Sequence, residues 1–168
     1  RGVRQYIEAV PTTRRARSAS LLAGGVAIVV AGVALAATWP WGSHHVAMPE
    51  DSASAGDVVT TYLAALDAHD CATAVALSTA SFAGTARDWC DDIASVRAVT
   101  TGDPTAEDPA WSGLPATAEV VSVPVTFEID WRLLRGDGSF AEGRADWGYL
   151  LTRPSADEPW RIISNGFA

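Results

Sequence analysis

No charged residue lies between Arg17 and Glu50, and a gap of that length excludes an ordinary solvated surface segment over the stretch it contains. Basic residues are scarce beyond Arg17 and nowhere clustered. That excludes a nucleic-acid partner, because phosphate contacts need grouped Arg or Lys. Lysine is missing altogether, so all 12 basic residues are arginine. Cysteine is nearly missing, with Cys71 and Cys90 alone, and no His or further Cys stands at the spacing zinc requires. No metal or other cofactor is expected.

What fills the uncharged gap is Leu21 to Trp41, LLAGGVAIVVAGVALAATWPW. As a helix rising about 1.5 Å per residue it would be roughly 31 Å long, the thickness of a bilayer's hydrocarbon core. A transmembrane helix is expected over 19–41. Before it stand Arg1, Arg4, Arg14, Arg15 and Arg17 against Glu8 alone, a flank of about +4. Beyond it seven arginines face 19 acidic residues, about −12. Basic residues beside a span stay cytoplasmic. The expected location is therefore the cell membrane, single-pass, with a cytoplasmic N-terminus and an extracytoplasmic C-terminal domain.

Arg14, Arg15 and Arg17 would meet lipid head groups at the inner interface, and Trp39 and Trp41 would anchor the outer one. Ala23, Ala27 and Ala31, with Gly32 and Ala36, put small side chains on two faces of the span. Such faces admit another membrane helix, although Ala-rich composition by itself could produce the same spacing. A signal peptide is the alternative, since Ala34-Leu35-Ala36 resembles a cleavage site. The run exceeds the roughly 7 to 15 apolar residues of a signal core, so an uncleaved anchor is expected. The first residue is Arg rather than Met, so a preceding segment is also expected.

Four segments follow: a basic flank at 1–18, the span at 19–41, a linker at 42–56 and a folded domain at 57–168. About 120 residues outside the span suffice for one domain with its own core. In an oxidising compartment Cys71 and Cys90 should pair. Closing a loop of about twenty residues would remove roughly 3 kcal/mol of unfolded-chain entropy. In the linker, His44 and His45 have no carboxylate at helical spacing and are expected to be solvated.

Val58, Val59, Tyr62, Leu63 and Leu66 make one helical stripe, with Ser54 or Asp57 as its cap. Asp70 can cap a second, short helix, and a third over about 85–93 carries Trp89 and Cys90 inward. From Val96 the period becomes two. A first strand runs to Thr101, and a loop, TGDPTAEDPAWSGLP, follows it. Then Val121, Val123, Val125, Phe127, Ile129, Trp131 and Leu133 alternate with mostly polar residues, as in a sheet covered on one face. Pro124 cannot donate to a ladder and marks a bulge or an edge. Gly136-Asp137-Gly138 signals a hairpin. The return strand sets Gly143, Ala145, Trp147, Tyr149 and Leu151 on one face, and a last strand covers 160–164. The fold class is α+β, helices first and then a curved antiparallel sheet around the long helix.

The opening helix DVVTTYLAALDAHD, the cysteine-bearing short helices, the strand VVSVPVTFEIDW, the hairpin and the closing PWRIISNGF resemble the nuclear transport factor 2-like superfamily, the cone fold of ketosteroid isomerases and polyketide cyclases. The resemblance covers about 57–167. Members anchored by one N-terminal span serve as subunits of envelope complexes, which implies a non-catalytic subunit with other membrane-protein subunits as partners. Enzymatic members enclose an acid or base and an oxyanion donor. That implies Asp67, His69 or Asp130, with Tyr62 or Tyr149, as the alternative: an apolar-ligand binder or an isomerase/cyclase-type enzyme. Tyr62, Trp89, Trp131, Trp147 and Tyr149 are the residues that would line a cavity, and filling the core is the plainer role for them. A regulatory protein that senses outside and reports inside is a third class.

Overall fold

The computed structural model describes residues 44–133, 135 and 141–166, which belong to one compact unit. Among the described residues no helix is long and apolar enough to cross a membrane. The expected span at 19–41 lies outside them, as do Arg14, Arg15, Arg17, Trp39, Trp41 and the small-residue faces at Ala23, Ala27, Ala31, Gly32 and Ala36.

Helix α1 is Ala55–Asp67. Ser54 caps it by accepting from the Asp57 amide, while the Asp57 carboxylate accepts from the Ser54 amide, both at 3.2 Å. This reciprocal pair satisfies two donors that a helix start leaves bare. Val58, Val59, Tyr62, Leu63 and Leu66 are buried along one stripe, as their spacing requires. Two short helices follow, α2 over Cys71–Ala76 and α3 over Ala83–Asp92.

The sheet is antiparallel. Strands β1 (Ile93–Thr101), β3 (Glu119–Trp131), β4 (Gly143–Arg153) and β5 (Arg161–Gly166) lie side by side in that order. Strand β2, Thr105–Glu107, also pairs with β3. Val123 faces Tyr149, Val125 faces Trp147 and Phe127 faces Ala145 across β3 and β4. These pairs point into the core with α1 packed over them. On the other face Thr126 opposes Asp146 and Glu128 opposes Arg144. The α+β class and the helices-then-curved-sheet order expected from the sequence are the ones observed.

Four details differ from the sequence reading. Strand β1 starts at Ile93 rather than Val96, because Ile93 already pairs with Trp131 of β3; the Asp67 carboxylate accepts from the Val96 amide at 2.9 Å. The segment expected to be a loop after Thr101 contains β2 and a short 3₁₀ turn at Pro109–Ser112. Leu133 lies past the end of β3 and is 91 % exposed, so the apolar alternation outruns the strand by one residue of its face. Within the expected linker, His44 and Val46 are hydrogen-bonded to the domain through Ala68 and Asp70. The Gly136-Asp137-Gly138 turn lies outside the described residues.

Pro124 explains the handover from β1 to β2. Its carbonyl accepts from the Gly102 amide at 2.8 Å, so its nitrogen points to that same edge and has no hydrogen to give. The ladder to β1 ends at Thr101 opposite Val125, and the ladder to β2 begins at Thr105 opposite Ser122. Upstream, Ala98 takes a positive φ of 51° where the β1 register shifts between Arg97 and Thr100. A bulge of this kind bends a strand.

Candidate functional site

Cys71 and Cys90 form a disulfide, with their Cα atoms 5.6 Å apart, that ties the head of α2 to α3. Beside it sits a carboxylate with several hydrogen-bond donors. The residue before Cys71 is Asp70, 7 % exposed. Its Oδ2 accepts from the Val46 amide at 2.9 Å and from Thr73 Oγ1 at 2.8 Å, and His45 Nδ1 lies 3.1 Å away. Its Oδ1 accepts from the Thr73 amide at 3.2 Å, which caps α2. The bond from Val46, helped by those from Thr73 and His45, outweighs burial and holds the carboxyl down at about 2. Thr73 Oγ1 also reaches the Val46 carbonyl, at 3.3 Å, and the His44 amide donates to the Ala68 carbonyl at 3.2 Å. Residues 44–46 are thus strapped to the α1–α2 corner. The His45 side chain is 83 % exposed, so its share in the strap is small.

The five residues expected to line a cavity lie in or against the core. Tyr62 and Tyr149 meet edge to face with ring centroids 5.5 Å apart, and Phe82 approaches Tyr62 at 6.5 Å. Trp89 sits 6.0 Å from Trp131 and 6.1 Å from Trp147. Tyr62 and Tyr149 are fully buried, Trp89 and Trp147 nearly so, while Trp131 is half-buried. Two groups therefore form: Tyr62, Tyr149 and Phe82 in one, and the three tryptophans in the other.

Two depressions open at the surface of the sheet. One, of 320 Å³, lies where β1 gives way to β2, and its wall includes Thr101, Gly102, Pro124, Val125, Asp146 and Trp147. Asp146 there accepts from Thr126 Oγ1 at 2.7 Å. The other, of 200 Å³, has Ser122, Gly148, Tyr149, Ser164 and Asn165 in its lining. Trp147 is in the wall of the first and Tyr149 in the lining of the second.

The acid–base candidates each have other engagements. Asp67 is engaged with the Val96 amide. Asp130 lies on the outer face of β3, where its Oδ2 accepts from Arg97 at 2.8 Å and from Ser95 at 2.9 Å. His69 holds a positive φ of 54° at the α1–α2 corner. Its pKa is lowered, first by burial and then by the nearby Arg132 charge, with Asp67 pulling the other way. None of the three is brought beside the Tyr62 and Tyr149 pair in a hydrogen-bonded arrangement. Both tyrosine hydroxyls are pushed well above the ordinary phenol range by burial. Among the described residues no group of three His, Cys, Asp or Glu side chains could hold a metal ion.

The sequence reading gave Asp70 only its capping role and missed its hold on Val46, which lies 24 positions away. Asn165 it did not single out at all. Comparison of the chain with family models, with curated proteins and with solved structures returns no match.

Proposed function

We propose that this chain is a single-pass membrane-anchored, non-catalytic subunit of a larger membrane or envelope complex, acting through an extracytoplasmic domain of the nuclear transport factor 2-like cone type. The observation that carries the reading is the uncharged apolar run at 21–41, with about +4 on one side and about −12 on the other. Three features of the described domain support it. A disulfide suits an oxidising compartment. The interior under the sheet is occupied by large side chains such as Tyr62, Phe127, Leu63 and Tyr149. The segment at 44–46 is hydrogen-bonded to the domain through Ala68 and Asp70. In this reading the contacts of the anchor are lipid and neighbouring membrane-protein subunits, and those of the domain are partner subunits.

Purification of the full chain from native membranes in mild detergent tests the role: defined partner chains should copurify at fixed ratio. A protein that runs alone from every such preparation would end the proposal. A second reading, small apolar-ligand binding or isomerase/cyclase-type catalysis, draws on the 320 Å³ depression with Trp147, Val125 and Asp146 in its wall. Saturable change in tryptophan fluorescence on titration with hydrophobic ligands would favour it over the first.

A further inference from the structure

The depression where β1 gives way to β2 is shaped by a break in the sheet edge. Strand β1 pairs with β3 as far as Thr101 opposite Val125, and β2 takes over at Thr105 opposite Ser122. Alternate residues of an antiparallel strand present their backbone groups to the same edge, and between Ser122 and Thr126 the residue that does so is Pro124. A gap of this kind ordinarily bares an amide and a carbonyl that need water. Here neither is bare. Proline has no amide hydrogen, and its carbonyl already accepts from the Gly102 amide at 2.8 Å. The break therefore leaves a surface that apolar matter can cover without stranding a backbone donor. Its 320 Å³ falls in the size range of small-ligand sites, about 300 to 1,000 Å³.

One charged group stands in that wall. Asp146 is exposed on β4, and its Oδ1 accepts from Thr126 Oγ1 at 2.7 Å, which leaves Oδ2 for another donor. Among the described residues no basic side chain forms an ion pair with it: Arg97 is held by Asp130, and Arg144 stands opposite Glu128. An ionised carboxylate only accepts, so its complement is a donor. Hydrogen bonds to charged partners are the stronger ones, so a cationic donor is favoured over a neutral one of the same shape.

We propose that this depression binds a small primary ammonium compound with an apolar body. The ammonium sits at Asp146 Oδ2 and the body lies along Pro124, while Thr126 holds the carboxylate in place. This rests on the second reading above, ligand binding at the same depression, and names the class of ligand it takes.

The test is calorimetric titration of the full chain with phenethylammonium and with 2-phenylethanol, its neutral counterpart of nearly the same shape. The ammonium should bind one to one with a Kd of about 1 mM, and the alcohol about tenfold more weakly. In Asp146→Asn, a change at an exposed position, the two should bind alike. Asp157→Asn removes an equal charge outside that wall and should leave the ammonium's affinity unchanged. Alcohol bound as tightly as ammonium by the unaltered chain overturns the proposal and leaves the second reading standing. Absence of saturable ammonium binding overturns it too, and the titration with hydrophobic ligands then decides the second reading by itself. An ammonium affinity that survives Asp146→Asn, or that falls equally in Asp157→Asn, reports general attraction to an acidic chain and overturns it as well.

Discussion

One carboxylate, that of Asp70, joins the strap at 44–46, the start of α2 and, through Cys71 beside it, the disulfide. Its acceptor capacity is used by two backbone amides and one hydroxyl, so no neutral side chain of the same shape can replace it well. Asp70→Asn would turn at least one acceptor into a donor facing another donor. We expect a loss of about 2 kcal/mol or more in denaturant unfolding at neutral pH. Acid should reproduce part of that loss. The folded-state carboxyl titrates at about 2, below its ordinary 3.8, so the folded form holds the charge more tightly than the unfolded one. That contribution is complete above about pH 4 and fades as pH falls toward about 2. The stability gap between the natural chain and Asp70→Asn should therefore narrow across that window. A gap that stays constant would contradict the assignment.

Among the elements, β3 carries the organisation, and Pro124 sets where its partner changes. Gly102 makes the turn at that point, and a Cβ there would meet Pro124 Cγ at 2.9 Å, a ring atom with little freedom to move. Gly102→Ala should cost about 1 to 3 kcal/mol. Gly84 in α3, where a Cβ would meet nothing within 4 Å, is the control, and alanine there should be neutral or stabilising. Equal effects at the two glycines would show that the close approach at Pro124 does not matter.

These elements also show how far the chain could be read in advance. The faces of β3 and β4 were legible because a period of two over a dozen residues has one solution. The α1 stripe and the cysteine pairing were legible for similar local reasons. What escaped was set at long range. Strand β2 is three residues long and exists because β3 has a free edge beyond Pro124. Leu133 continues the alternation but finds no sheet left to join. Val46 matters through Asp70, 24 positions away, and leaves no periodic mark.

For the molecule as a whole, the charge imbalance and the apolar run at 21–41 govern the proposed role. A subunit that works outside the membrane needs its acid-rich domain there, joined to the anchor by a short path. Within the domain, the chain is hydrogen-bonded from His44 onward.

The most direct measurement is protease accessibility of the chain in intact cells, followed by detection of the fragments at both ends. The account predicts that externally added protease removes the domain beyond residue 57 while the arginine-bearing flank before Arg17 remains membrane-bound and protected. A domain that survives until the cells are broken open would contradict it, and so would a mature chain that is released and begins after the apolar run.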